Sequence, residues 1–320
     1  MRRRAFIGFL GSAAVISFAA KAQYTGGIRR IGVLVLGDPD PDIFVNELRK
    51  HLQSYGQIDG RDVQFEVRSG GATPRGLADA AEELVRLRVD MIVAWLTPAA
   101  TAAKKATSDI PVVMTAGNPV ETGLVASLSR PGGNVTGIDV FGALLGTKCV
   151  ELVRDTLPSA RRVAILANAV DPFTRSFVGE IEKAGKSIEL VTEPCMLHPT
   201  DNFVAAFQQL RNSKVDAVIV QPTLIRPAVT EFAVEYRLPS YSIVRGFPVA
   251  GGLMSFSANF TQLVRDLAGY VDRILRGSNP AELPVMQPTR FELVINVTTA
   301  KAIGLEVPPM LLARADEIIE

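Results

Sequence analysis

The stretch PVVMTAGNPVETGLVASLSRPGGNVTG, Pro111 to Gly137, joins a short apolar run to a long passage broken by glycine and proline. Val112 to Thr115 suits a strand buried on both faces, and Gly117-Asn118-Pro119 stops it with residues that supply special dihedrals and bar a helix. Arg130-Pro131-Gly132-Gly133-Asn134 breaks the chain again. Leu124 to Leu128, between the breaks, is too short for a useful helix and too apolar for a plain surface loop, so it is expected to pack on something larger. We read the whole stretch as a crossing between two lobes.

On either side the chain alternates strands and helices. IGVLVL (Ile31 to Leu36) is a continuous apolar strand, and Ile43, Phe44, Leu48, Leu52 and Tyr55 then recur with helical spacing before Gly56. Val63 to Val67 reads as a strand, Leu77 to Leu87 as a helix, Met91 to Leu96 as a strand and Ala99 to Ala106 as a helix, with Val112 to Thr115 as the fourth strand. Beyond the crossing, Leu144 to Leu157 is helical, Arg162 to Ala167 a strand, Phe173 to Ala184 helical and Ser187 to Val191 a strand. A helix around Phe203 to Leu210, a strand Ala217 to Val220, a helix Pro227 to Tyr236 and a strand Ser240 to Val244 complete the repetition. The alternation predicts two successive α/β lobes, each a parallel sheet covered by helices on both faces. From Phe260, the positions Leu263, Leu267, Tyr270, Val271, Ile274 and Leu275 mark an amphipathic helix ending at Gly277.

The first 22 residues, MRRRAFIGFLGSAAVISFAAKA, have a basic start, an apolar middle and an Ala20-Lys21-Ala22 ending, the pattern of an export signal cut after Ala22. Arg3-Arg4-Ala5-Phe6-Ile7 is close to a twin-arginine pattern, while three adjacent arginines also suit the ordinary secretory route; both stay open. No cysteine follows the cleavage point, so no lipid anchor is expected. The full chain carries 34 Lys and Arg against 33 Asp and Glu; without the signal's four basic residues the balance becomes −3. A mildly acidic chain without a basic block offers nucleic acid no footprint.

The run NPVETGLVASLSRPGGNVTG resembles a signature of one family of periplasmic substrate-binding proteins of ABC importers, and AGGLMSFS (Ala250 to Ser257) and LPVMQPTRFELVINVTTAKAIGL (Leu283 to Leu305) continue the resemblance. It covers essentially the whole chain after the signal. Asn118 stands where an Asp is usual, and Ser255-Phe256-Ser257 where Ser-Tyr-Gly is common; both departures bear on the ligand more than on the fold. The resemblance implies two Rossmann-like lobes in the type I periplasmic binding protein fold, joined by three crossings. The helix after Phe260 would then return to the first lobe after a crossing near Met254 to Ser257. A third crossing near Leu283 to Gln287 would send the tail back. The lobes would be 28–137 plus 254–284, and 138–253 plus 285–320.

In parallel α/β sheets ligands sit beyond the carboxyl ends of the strands. That rule selects Gly37-Asp38, Trp95 to Pro98 and Thr115 to Asn118 in the first half, and Asn168 to Asp171, Gln221 to Thr223 and Arg245 to Phe247 in the second. Thr97 reads as an N-cap with Pro98 at the first helical position, so the free N–H groups at Ala99 and Ala100 suit a carboxylate; an ordinary capped helix reads the same way. Trp95, the only tryptophan, stacks on a ligand or packs in the core. Arg245 is a candidate clamp for a carboxylate, Asp38, Asp171 and Glu121 are candidates for an ammonium group, and each of these charges, taken alone, reads first as a solvated rim. Asn168 and Gln221 are neutral groups able to orient a polar ligand, and Asn118, in the loop after the fourth strand, is a further ligand-binding candidate.

The chain has two histidines, His51 and His198, neither with a partner at metal-ligand spacing, so no metal and no cofactor is expected. No nucleophile elbow, phosphate-binding lysine loop or dinucleotide glycine turn follows a predicted strand, which leaves an enzyme without its key residues. Cys149 and Cys195 are expected to stay unpaired. The resemblance implies a monomeric periplasmic protein that takes a small organic solute, an amino acid or similar carboxylate, and hands it to an importer's membrane permease. A bilobed sensing receptor without a transport role is the alternative.

Overall fold

The computed structural model describes residues 27–37, 41–71 and 73–320. The export signal, its cleavage point and Asp38 lie outside them. In the first sheet β1 (Arg29–Val35), β2 (Val63–Ser69), β3 (Met91–Trp95), β4 (Val112–Ala116) and β5 (Val135–Asp139) run parallel in the order β2-β1-β3-β4-β5. Helices α1 (Pro41–Ser54), α2 (Pro74–Arg86) and α3 (Thr97–Ala106) link the first four strands. The continuous apolar run of β1 follows from burial on both faces: Ile31, Val33 and Val35 enter one core cluster and Leu34, with Leu36 just beyond, enters the other.

The second sheet gathers β6 (Arg162–Asn168), β7 (Val191–Leu197), β8 (Ala217–Val220), β9 (Ser240–Ser242), β10 (Met254–Ala258), β11 (Phe291–Asn296) and β12 (Glu317–Ile319) in the order β12-β11-β10-β9-β8-β6-β7. All its pairings are parallel except β10 with β11. Around it lie α4 (Gly142–Thr156), α5 (Thr174–Ser187), α6 (Phe203–Asn212), α7 (Pro227–Glu235) and α8 (Gly246–Val249). Next, α9 (Phe260–Leu275) leaves this sheet, and α10 (Val297–Ile303) and α11 (Pro309–Arg314) return to it. β6 divides as β1 does, Val163, Ile165 and Ala167 facing one core and Ala164 and Leu166 the other. Through Leu263, Val264, Leu267, Val271 and Ile274, α9 joins the core formed by β1, β3 and α1.

The quoted stretch is not itself the crossing. Leu124 and Val125 are buried in the first core, and the chain then re-enters the first sheet as β5, pairing with β4 from Val112↔Val135 to Ala116↔Asp139. Gly137 makes this approach possible: its φ is +138°, and a Cβ there would lie 2.1 Å from the Met114 carbonyl oxygen. The crossing follows at Val140 and Phe141. The strand expected at Ser187 to Val191 is also displaced, because α5 runs on to Ser187, Glu189 turns left-handed at φ 56°, and β7 begins at Val191. β7 is an edge strand, partly exposed and carrying Pro194, so it lacks the apolar run that marks a central strand. The second crossing comes at Asn259, since β10 is hydrogen-bonded within the second sheet. At the third, Met286 lies beside β5: its N–H donates to the Gly137 carbonyl at 2.9 Å, and its carbonyl accepts from the Asp139 N–H at 2.9 Å.

Candidate functional site

The carboxyl ends of β1, β3 and β4 face those of β6, β8 and β9 across a cavity of about 280 Å³ lined from both sheets. That lies just below the ~300–1,000 Å³ usual for ligand pockets. Its wall is mostly apolar, with polar groups at Thr97, Thr115, Asp171, Thr223, Arg245 and Ser257.

On the first sheet's side the entry to α3 is strained. Leu96 has φ 72° and ψ 161°, a region essentially reserved for glycine and costing about 1–3 kcal/mol elsewhere. Its N–H donates to Thr115 Oγ1 at 3.2 Å, which ties the turn to β4. Leu96, not Thr97, occupies the N-cap position, with no side-chain cap. Thr97 is the first helical residue, buried, and its Oγ1 accepts from the Gly117 N–H at 3.1 Å. The expected cap is therefore a strut between α3 and the loop after β4. Ala99 is fully buried in the first core and is not among the cavity-lining residues. The first N–H groups of any helix have no carbonyl one turn earlier, so the start of α3 keeps its positive end toward the cavity.

Trp95 both lines the cavity and packs. Its ring centroid is 4.3 Å from that of Phe44, tilted by 31°, and 6.0 Å from that of Phe260, edge-on. Phe44 and Phe260 belong to the first turns of α1 and α9, and both read in the sequence only as helix positions. Their signal is positional: a helix following a strand begins at that strand's carboxyl end, the edge where the cleft lies.

On the second sheet's side five polar residues form one buried network. Asp171 Oδ1 accepts from the Phe173 N–H at 2.9 Å, and Oδ2 accepts from Gln221 Nε2 at 2.9 Å and Thr223 Oγ1 at 3.0 Å. Gln221 Oε1 accepts from the Asn168 N–H and from Thr174 Oγ1, and Asn168 Nδ2 donates to Thr223 Oγ1. Gln221 is fully buried and positions Asp171 from behind, while Asp171 and Thr223 reach the cavity. Burial pushes the Asp171 carboxyl up to about 6 against the pull of its three donors. Among the described residues no cation pairs with it.

Two candidates are engaged elsewhere. Arg245 lines the cavity, but its guanidinium forms a bidentate pair with Glu317 on β12, Nη2 to Oε2 at 2.7 Å, so it is not an open clamp for a carboxylate. Asn118 is left-handed at φ 49°; its amide points to Glu121 and its N–H donates to Asp139, outside the cavity lining. Asp139, unremarked in the sequence, is the centre of the crossings: it also accepts from the Phe141 N–H and from Gln287 Nε2, and burial raises its pKa. Cys149 is buried and Cys195 partly buried, and both are free thiols.

The lobes touch directly at Gly117 and Phe173. A Cβ on Gly117 would stand 2.6 Å from Phe173 Cε2, so the ring of one lobe lies flush against the backbone of the other.

The chain matches the family of ABC transporter substrate-binding proteins over residues 30–319. A tyrosine-binding protein of Clostridioides difficile (strain R20291) is 28% identical over 263 residues, 80% of this chain and 75% of that protein. Among solved structures, an ABC domain in complex with L-Trp from Streptococcus pneumonia superposes with a TM-score of 0.83 at 25% identity, covering 92% of this chain and all of the other. A conserved domain protein from Vibrio cholerae superposes with a TM-score of 0.84 at 24% identity, over 91% of this chain and all of the other.

Proposed function

The chain belongs to the ABC transporter substrate-binding protein family, and we propose that it captures an aromatic amino acid between its lobes for delivery to an importer's permease. It acts in the periplasm after export, as a monomer and without chemistry of its own. The observation that carries this reading is Asp171, a buried carboxylate with three donors and, among the described residues, no cation, at the wall of a mainly apolar cavity. An ammonium group would supply the missing charge.

The other groups fit around that anchor. The start of α3, with the Thr97 hydroxyl beside it, suits the solute's carboxylate, while Phe44, Trp95 and Phe260 suit its side chain. Ammonium on the second lobe and carboxylate on the first would make the solute the bridge that favours closure. The relatives that bind tyrosine and L-Trp support an aromatic amino acid.

Titration calorimetry with L-phenylalanine, and with phenethylamine and phenylpropionate as its halves, tests the reading. The amino acid is expected to bind, each half at least tenfold more weakly, and Asp171→Asn to lose tenfold or more for the amino acid, since 1.4 kcal/mol is one decade. Equal binding of phenylpropionate and phenylalanine, or undiminished affinity in Asp171→Asn, would remove the ammonium site.

A further inference from the structure

Among the described residues that line the cavity two carry charge, Asp171 and Arg245, both on the second sheet's side. Asp171 meets no cation there, whereas Arg245 is answered by a residue outside the lining. Arg245 Nε donates to Glu317 Oε2 at 3.1 Å, and Nη2 donates to Oε1 at 2.8 Å and to Oε2 at 2.7 Å. Glu317 is set in place by its neighbour: the Asp316 N–H donates to the Leu293 carbonyl at 2.9 Å, and Asp316 Oδ2 accepts from the Leu293 N–H at 2.8 Å. That clasp holds β12 on β11 with Glu317 in register with Val294. Glu292 is also close enough to feel both charges, but it spends its carboxylate on Asn259 Nδ2 and the Phe260 N–H. Glu317 is therefore the acid in contact with Arg245.

We infer that Glu317 is a specificity-determining residue: by answering the charge of Arg245 it keeps plain carboxylic acids out of the cavity and reserves it for solutes that also bring an ammonium group. This rests on the amino-acid reading above and adds to it the element that excludes. An arginine in the wall of an apolar cavity is by itself a carboxylate site, and a solute held there would need no ammonium. Paired with Glu317 it brings no net charge. Asp171 is then the uncompensated charge of the wall, drawing a cation and repelling a lone anion. Selectivity comes from that repulsion as much as from the contact made by the right solute. The side chains of the pair are 33% and 39% exposed, so either can be replaced at little cost in stability while the charge near the cavity changes by one unit.

The test is calorimetry at low salt, above the pH at which Asp171 ionises, with phenylpropionate, phenethylamine and L-phenylalanine. In Glu317→Gln phenylpropionate is expected to bind about fivefold more tightly and phenethylamine about fivefold more weakly, while phenylalanine, which carries both charges, stays within about twofold. Arg245→Gln, which leaves Glu317 unanswered, is expected to give the mirror image. The double variant Arg245→Gln/Glu317→Gln restores the balance and should return both half-ligands to their wild-type affinities, and added salt should shrink the shifts of the single variants. Single variants that move neither half-ligand, or that move both in the same direction, overturn the inference and leave the ammonium anchor at Asp171 standing. So does a shift that persists in the double variant. Wild-type protein that binds phenylpropionate as tightly as phenylalanine, or that binds none of the three, removes the ammonium anchor and the inference with it.

Discussion

At Asp171 the two consequences of burial run in opposite directions with pH, and that gives the residue a signature no structural carboxylate shares. Folded, it titrates near 6; unfolded, near the ordinary 3.8. Between those values the folded state binds more protons, so this group makes the unliganded protein more stable as pH falls through that window and less stable as pH rises through it. The proposed ammonium contact needs the ionised form, so affinity is expected above about pH 6 and expected to be lost below it. From pH 4 to pH 7 the unliganded wild type is therefore expected to lose up to roughly 3 kcal/mol of stability relative to Asp171→Asn, on top of a pH-independent offset from the acceptor that the amide lacks. Over pH 7 to 5 the wild-type affinity should fall by about tenfold while the wild type's melting temperature rises relative to that of Asp171→Asn. Affinity that stays flat over that range would leave Asp171 a structural carboxyl.

Among the elements, the loop after β4 and the loop after β6 meet at the most exacting contact between the lobes. Gly117 has no room for a Cβ because Phe173 occupies it, and Phe173 is pressed from its own lobe by Gly142, where a Cβ would lie 2.5 Å from Cζ. In Gly117→Ala the ring cannot retreat, so the simplest relief is partial opening of the cleft. The unliganded melting temperature is expected to hold, while affinity drops about tenfold; unchanged affinity would show that the contact is incidental. The sequence displays Gly117 only as a breaker after a strand, because its reason lies 56 residues away on another sheet. The same limit governs the rest of the site. β1, β3, β4, β6, β8 and α9 were legible as apolar periodicity, and the carboxyl-end rule located the loops that hold Asn168, Asp171, Gln221 and Trp95. What periodicity hides is a side chain's partner: Arg245 reads as an open clamp until β12 brings Glu317 to it, and Thr97 reads as a cap until the left-handed Leu96 takes that position. β5 was hidden by its internal glycine and β7 by its place at the sheet edge.

For the whole molecule the crossings would set what the proposed closure costs. Asp139 accepts from Asn118, Phe141 and Gln287, so one carboxylate binds the loop after β4, the first crossing and the third, and steadies two left-handed residues, at φ 49° and 54°. Two of the three crossings are thus tied to one carboxylate, and three crossings together allow bending about a line and resist twisting and shear. A solute drives closure only by as much as it prefers the closed form, which here means by contacts to both lobes at once. Small-angle scattering should therefore show the radius of gyration falling when the wild type is saturated with solute. Asp171→Asn, at the same solute concentration, should stay at the unliganded value, and Gly117→Ala should fall short of the full change. To move a molecule from 1 in 100 closed to 99 in 100, the solute must favour the closed form by about 10⁴-fold, so a tenfold loss of that preference is expected to leave a visible open fraction. A radius that does not change while calorimetry records binding would mean that the cavity fills without hinge motion, and Phe173 would then be a fixed wall of the site.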